Sequence, residues 1–454
     1  MEALPRIAAA TSAAELWACL TECSEHDPRF VGAGDDYEPV LDAIRAGTDG
    51  DEFSLPCDGM PDLFERIIPR IAALVGEAPK LFSSGQLSLL QSGCAGKASV
   101  SQAQVASLLA MAFLGVGLPQ SAYERGTSET SGELGAFPFP SMSNIVWPKR
   151  RLDFPPHVHK VRCFLCYFST FEDAGGALNI ERAVATDTDR AAVLALATSE
   201  TPLCALDVRP LHTSVDDSDG CARVDFANKQ IGGGVYLGGP GAAAQEEITF
   251  ATHPELCCAK FVCEQMADDE ALLLSGARHV AAHTGYSETF RFAGPAGAGV
   301  ADATWVAIDA LRLPDEQAAA QFLGRGTQRE VLKALVGFRS AVNSGVDIIA
   351  TGSWGCGAFN GLPEVKALVQ WVAASEAGAS QLRYHGWDDA ATSEALARLV
   401  ALRETGATVG QLWSAATAAA QEASAEENFL AVVLRSATEA SGRGAPEPEA
   451  GSSA

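Results

Sequence analysis

From about residue 140 onward, short apolar runs of strand length alternate with segments of helical spacing, and glycine-bearing loops follow several of the runs. Val161–Phe168, Val224–Phe226, Trp305–Ile308 and Val346–Ala350 read as strands. Gln328–Ala341, built around Val331, Leu332, Leu335, Val336 and Phe338, and Pro363–Ala374 read as helices. Strands interleaved with helices bury both faces of a sheet. This alternation restricts the chain to an α/β layer with ligand loops at the strand ends.

The chain before this point has a different texture. Residues 1–135 read as a helical region: Leu63, Phe64, Ile67, Ile68 and Ile71 recur at helical spacing, with Pro69 as a kink or break. Ser101 and Gln104 fit a capping box, and Val105, Leu108, Leu109, Ala112 and Phe113 follow on one face. The polar run Glu124–Gly135 reads as a linker or surface loop. The resulting organisation is a helical region over 1–135, the α/β region over 136–435, and a tail over 436–454 expected to be disordered because it holds mainly Ala, Ser, Gly, Glu and Pro.

Composition removes several function classes. The 454 residues carry a formal charge of −25 with 20% charged residues, so the surface repels phosphate backbones; direct DNA binding and anionic-membrane binding are not expected. An anionic ligand would have to be held by backbone N–H groups. No apolar run reaches the ~18 residues of a membrane span, and the first residues show no secretory signal, which points to a nuclear or cytoplasmic, non-secreted protein. The twelve cysteines sit mostly in apolar runs and read as free buried thiols of a reducing compartment. Cys163 and Cys166 form a CxxC without a second pair, and a strand would point their sulfurs to opposite faces, so no zinc site is expected there. His157 and His159 would share one strand face, but nothing nearby completes a ligand set. His279, His283 and His385 read as surface or core histidines. Cys356 lies in a glycine loop with no histidine placed to activate it.

The segment Val224–Phe250 carries the most chemistry. A short strand ends in Asp225 and Asn228, Gly232-Gly233-Gly234 opens a loop, and Gln245, Glu246 and Glu247 follow. Three glycines let the backbone approach a ligand and turn N–H groups toward one point, a nest that can bind phosphate without Lys or Arg. A plain surface loop would also explain the glycines, and a solvated helix start would also explain the glutamates. Adjacent glutamates at such a loop suggest glycosidic chemistry, one carboxylic acid protonating a leaving sugar oxygen while the other holds a ribose hydroxyl. Their like charges would raise one pKa and keep one glutamate protonated.

VDFAN, GGG and QEE together resemble the signature of the poly(ADP-ribose) glycohydrolase family. Further blocks match in the family's order: SQAQVASLLAMAFLG, CFLCYF, HTGYSETFRF, VAIDAL and ATGSWGCGAFNGLPEVKALVQ. The resemblance implies a macrodomain, a mixed central sheet between helices, with an N-terminal helical accessory region. It implies hydrolysis of the ribose–ribose bonds of poly(ADP-ribose) to ADP-ribose without metal or organic cofactor, acting on the polymer and on ADP-ribosylated proteins; nothing in the sequence demands more than a monomer. Glu247 matches the family's acid/base, Glu246 the partner that positions ribose hydroxyls, and Asp225 an acidic residue of the catalytic group. Asn228, Gln245 and Tyr286 match substrate contacts, and Gly232, Gly233 and Gly234 would approach the ribose–diphosphate. Ser353, Trp354, Gly355, Cys356, Gly357 and Ala358 match the diphosphate loop, with Phe359 against the terminal ribose. Val215 and Asp216 fall where the family holds the adenine edge.

Four departures stand out. The ten residues between Gly234 and Gln245 exceed the family spacing, and the extra GGPGA either bulges outward or detunes the nest. Ser353 stands where Asn is usual, and Asp216 where Glu is usual. Gly386 falls where the adenine-stacking Phe would lie, with Trp387 as the substitute or a core residue. A macrodomain that binds ADP-ribose or its polymer without turnover is the alternative reading.

Overall fold

The protein is described from a computed structural model over residues 4–24, 40–47, 60, 62–83, 87–116, 140–146, 156–239, 241–297, 303–314, 317–324, 326–422 and 427–440. The linker expected at Glu124–Gly135 lies outside the described residues. Ten strands occur among them: β1 Gly96–Ser101, β2 Ala177–Val184, β3 Ala205–Val208, β4 Ala222–Ala227, β5 Glu270–Ala277, β6 Ala281–Thr284, β7 Arg291–Pro295, β8 Ala303–Asp309, β9 Ile348–Gly352 and β10 Gln381–His385. The chain divides into two units, each assembled from three stretches: residues 1–182, 227–267 and 274–303 form the first, and 183–226, 268–273 and 304–454 the second.

The first unit is mainly helical. Pro69 has no N–H to continue a helix, and the chain changes register there. A π-helical turn over Leu63–Ile67 gives way to the α-helix Ile68–Gly76, with the proline in its first turn. Leu63, Phe64, Ile67, Ile68 and Ile71 are all buried. In the next helix, Gln102–Leu114, Ser101 Oγ accepts from Gln104 N at 3.2 Å and Gln104 Oε1 from Ser101 N at 3.1 Å, closing the capping box; Gly115 ends the helix at φ 70°. Its residues are buried nearly all round rather than on one face.

Two sequence expectations are corrected in this unit. Residues 96–101, read as part of a helical region, form β1, which pairs antiparallel with β2 (Gly96 opposite Arg182). Val161–Phe168, read as a strand, lies inside the helix Pro156–Thr170. Every residue from Pro156 to Phe168 is buried, so no polar face marks a period, and a short continuous apolar run does not by itself separate a core strand from a core helix. The helix also moves the side chains. His157 and His159 leave their common face, since two residues subtend about 200°, while Cys163 and Cys166 come to one side. Burial raises both thiols, Cys166 to about 11. β6 and β7 form an antiparallel hairpin whose connection carries Tyr286.

Strand order is β1-β2-β5 in the first unit and β5-β8-β4-β9-β10-β3 in the second, with the division inside β5. In the second unit β4, β9, β10 and β3 run parallel. The register sets Leu382 between Ile349 and Leu206, so neighbouring strands present apolar residues side by side. Helices Gly326–Asn343 and Pro363–Ala377 close the core with Val331, Leu335, Phe338, Leu368, Trp371 and Val372. The last helix, Phe429–Ala440, includes residues 436–440, which the sequence assigned to the tail; Phe429, Leu430, Val432 and Val433 bury one side of it and extend it past the expected boundary. Residues 441–454 lie outside the described residues. No helix among the described residues is long and apolar enough to cross a membrane.

Candidate active site

β4 ends at Ala227, where the first unit resumes, and within that unit the helix Gln245–Thr252 begins. Glu246 and Glu247 occupy its first turn, where the positive end of the helix favours carboxylates, and both are buried. Each carboxylate is held by two backbone donors. Glu246 Oε2 accepts from Asn228 N at 2.9 Å and Oε1 from Gly232 N at 2.6 Å. Glu247 Oε1 accepts from Gly234 N at 2.8 Å and Oε2 from Ala244 N at 3.0 Å. The glycine nest expected to receive phosphate thus directs two of its N–H groups at the chain's own glutamates.

Gly233 sits where no side chain fits. Its φ is 39°, and a Cβ there would lie 2.4 Å from Glu247 Oε1 and 2.5 Å from Glu246 Oε2. The two carboxylates therefore face one point on the backbone, and only glycine combines that close approach with left-handed geometry.

Two lysines hold the other side of the loop. Lys260 Nζ donates to Ile231 O at 3.0 Å and Gly233 O at 3.2 Å. Lys160, fully buried in the helix Pro156–Thr170, donates to Gly234 O at 3.2 Å and to Leu237 O and Ala242 O at 2.6 Å each. Burial lowers both ammonium groups, that of Lys160 to about 7, against the opposing pull of nearby acidic groups, Glu247 among them. Sequence reasoning missed both residues. The signal is a lysine set among apolar residues, in CCAKFVC and in HVHKVRCF before the apolar CFLCYF. Tyr286 is half exposed. Burial and then the charge of Glu247 raise its phenol, with the Gln245 backbone opposing, and Ser287 N binds Ala243 O at 3.0 Å, tying this turn to the loop. Gln245 opens the helix, its Nε2 3.5 Å from Thr249 Oγ1.

Asp225, Val215, Asp216 and residues 353–359 belong to the second unit. Asp225 lies on β4 and is fully buried. The loop after β9 is built on Trp354, whose fully buried ring donates from Nε1 to Ile308 O at 2.9 Å and lies 4.3 Å beneath Lys366 Nζ. Trp354 N binds Gly352 O at 2.7 Å, Cys356 N binds Ser353 O at 3.1 Å, and Gly361 N binds Gly355 O at 2.9 Å. The N–H groups of Gly355, Gly357 and Ala358 are not among these closing bonds. Burial, then the charge of Asp389, pushes the Cys356 thiol far above its usual range, so it stays protonated. Phe359 packs beneath the Arg312 guanidinium at 5.6 Å. Below the loop, Lys366 pairs with Glu330, which also accepts from Leu311 N at 3.0 Å.

Val215 packs with Ala350 of β9 and Cys221, which brings the Val215–Asp217 turn beside the strand that feeds this loop. Ser214 Oγ accepts from Asp216 N at 3.2 Å, fixing the turn. His385, read as a surface or core histidine, is buried and braces the turn's flanks: Nδ1 lies 2.9 Å from Thr213 Oγ1 and Nε2 2.8 Å from Ser218 Oγ. A Cβ on Gly386 would meet Ser393 Oγ at 2.2 Å, so an aromatic side chain has no room there; Trp387 is half exposed rather than in the core.

Comparison with known proteins identifies two family models along the chain. Residues 58–182 match the helical-domain model of poly(ADP-ribose) glycohydrolase, and residues 194–394 match that family's macro-domain-fold model. Poly(ADP-ribose) glycohydrolase 1 of Arabidopsis thaliana is 28% identical over 71% of this chain and 72% of its own. Poly(ADP-ribose) glycohydrolase 2 of Caenorhabditis elegans is 37% identical over 35% of this chain and 36% of its own. Among solved structures, the Thermomonospora curvata enzyme bound to the inhibitor ADP-HPD is 17% identical with a TM-score of 0.30, covering 48% of this chain and 84% of that one. The family assignment rests on the sequence matches.

Proposed function

The chain belongs to the poly(ADP-ribose) glycohydrolase family, and from that membership we propose that it hydrolyses the ribose–ribose O-glycosidic bonds of poly(ADP-ribose), with Glu247 as general acid/base. The observation that carries this reading is the pair of buried glutamates facing Gly233, each with both oxygens engaged by backbone N–H groups. A carboxylate oxygen has two lone pairs, so an oxygen that accepts from one backbone N–H can also take a substrate hydroxyl or a proton. Glu247 in its acid form gives its proton to the departing ribose oxygen as the bond to the anomeric carbon breaks. The resulting carboxylate takes a proton from water, whose oxygen adds to that carbon. Glu246 accepts from ribose hydroxyls, which fixes the sugar against the acid. Because backbone holds both groups, little reorganisation accompanies the reaction.

By the family resemblance, Asp225 joins the catalytic group; Asn228, Gln245 and Tyr286 contact substrate; residues 353–358 take the diphosphate, Phe359 the terminal ribose, and Val215 and Asp216 the adenine edge. The test is release of ADP-ribose from purified poly(ADP-ribose) by wild type and by Glu247→Gln, which keeps size and one of the two acceptor oxygens but removes the titratable proton. Release by wild type and a loss within about 10²–10⁴ in the variant supports the assignment. Binding of ADP-ribose without release by either protein would make the chain a reader of the polymer.

A further inference from the structure

The ten residues between Gly234 and Gln245 form a longer connection than the two glutamates need, and a floppy connection would let the nest drift. Lys160 meets that connection at three places. Its ammonium donates to Gly234 O at the end of the nest and to Leu237 O and Ala242 O, the last carbonyl before residues 238–241 and the first after them. Both distances are 2.6 Å, so the two ends of that segment converge on one nitrogen. Residues on either side of the pinch, Gly234 and Ala244, supply the two N–H donors to Glu247. The lysine is fully buried and reaches the loop from a different helix, so its position does not depend on the loop's own conformation. The Gly239 and Gly241 positions have nothing within 4 Å of an added Cβ, so there is open space at both of these positions.

We propose that Lys160 is a positioning residue that staples the base of this extra segment, holding Leu237 and Ala242 together so that the donors to Glu247 stay fixed. The inference deepens the glycohydrolase reading and rests on it for its kinetic consequence. Bonds to three carbonyls do here what a shorter loop would achieve by chain length alone. It follows that the lysine is needed because of the segment, and that a chain without residues 238–241 can dispense with it.

Four proteins test this: wild type, Lys160→Met, an excision of residues 238–241, and the two changes combined. The readouts are kcat and KM for ADP-ribose release and amide hydrogen exchange at Gly234 and Ala244. Lys160→Met is expected to lower kcat about tenfold to a hundredfold through misplaced Glu247, with KM little changed and faster exchange at both amides. The excision alone should stay active, and the combined variant should regain most of the lost kcat and the slow exchange. Unchanged kcat and exchange in Lys160→Met, or a combined variant as impaired as Lys160→Met, would overturn the inference. If Lys160→Met does not fold, a combined variant that folds and turns over supports the staple, and one that also fails to fold overturns it. If wild type releases no ADP-ribose, the glycohydrolase reading fails, while the exchange measurements still decide the role of Lys160.

Discussion

Replacing Gly233 with alanine tests the architecture of the carboxylate pair directly. The backbone there has φ 39°, left-handed geometry in which a side-chain-bearing residue is strained by about 1–3 kcal/mol. The new methyl would stand 2.4 Å from Glu247 Oε1 and 2.5 Å from Glu246 Oε2, against 3.4 Å for an ordinary contact. Relief therefore requires a carboxylate movement of about 1 Å, a misplacement worth about 10² in rate. The expected result is a loss of about a hundredfold in kcat for ADP-ribose release, together with a fall of about 1–3 kcal/mol in unfolding free energy by urea titration. The two readouts separate, since strain alone would lower stability and spare kcat. An alanine variant with wild-type kcat would refute the reasoning, because it would mean that the glutamates need not lie against this point of the backbone.

Other expectations follow from buried polar groups. Glu330→Gln leaves Lys366 without its charged partner beneath the 353–361 loop and should cost about 3–5 kcal/mol of stability, read as a lower urea midpoint at unchanged slope. Burial, and then Arg209, hold the His385 imidazole below its usual 6.5. A base with a lowered folded pKa contributes stability that is full above the unfolded value and lost as pH falls through the folded one. Wild type should therefore lose stability below about pH 6.5, by at most about 1.4 kcal/mol per unit, and His385→Gln should lose less over that window. Unfolding midpoints at several pH values check both the sign and the window.

The parts of the fold that depend on side-chain pattern were readable before any coordinates. The Ser101–Gln104 box, the strands β4, β8 and β9, and the helices beginning at Gly326 and Pro363 all have a polar or glycine boundary that marks their period. The helix Pro156–Thr170 has none, because burial on every side removes the contrast that a periodicity argument uses. The candidate site divides the same way. Glu246 and Glu247 stand out as an acidic pair beside glycines, whereas the partners of Lys160 are carbonyl oxygens 74 to 82 residues away. Every residue carries a carbonyl, so no choice of amino acid at Gly234, Leu237 or Ala242 announces that contact. The same logic explains the nest: its N–H groups were foreseen as donors, but only folding decides that Gly232 and Gly234 donate to the protein's own carboxylates.

The interleaving of the two units also sets an order of events during synthesis. Lys160 emerges from the ribosome before Ala242, its most distant acceptor, by 82 residues, which at about 5–20 residues per second is roughly 4–16 s. Throughout that interval the lysine has no loop to close on and stays hydrated, and the stretch 183–226 of the other unit is made in between. The first unit is complete only when residues 274–303 have been added, so its carboxylate pair matures after them. A fragment ending between residues 248 and 285 carries both glutamates without the Tyr286 turn that binds Ala243. Nascent chains stalled or cleaved before residue 286 should thus be inert towards the polymer.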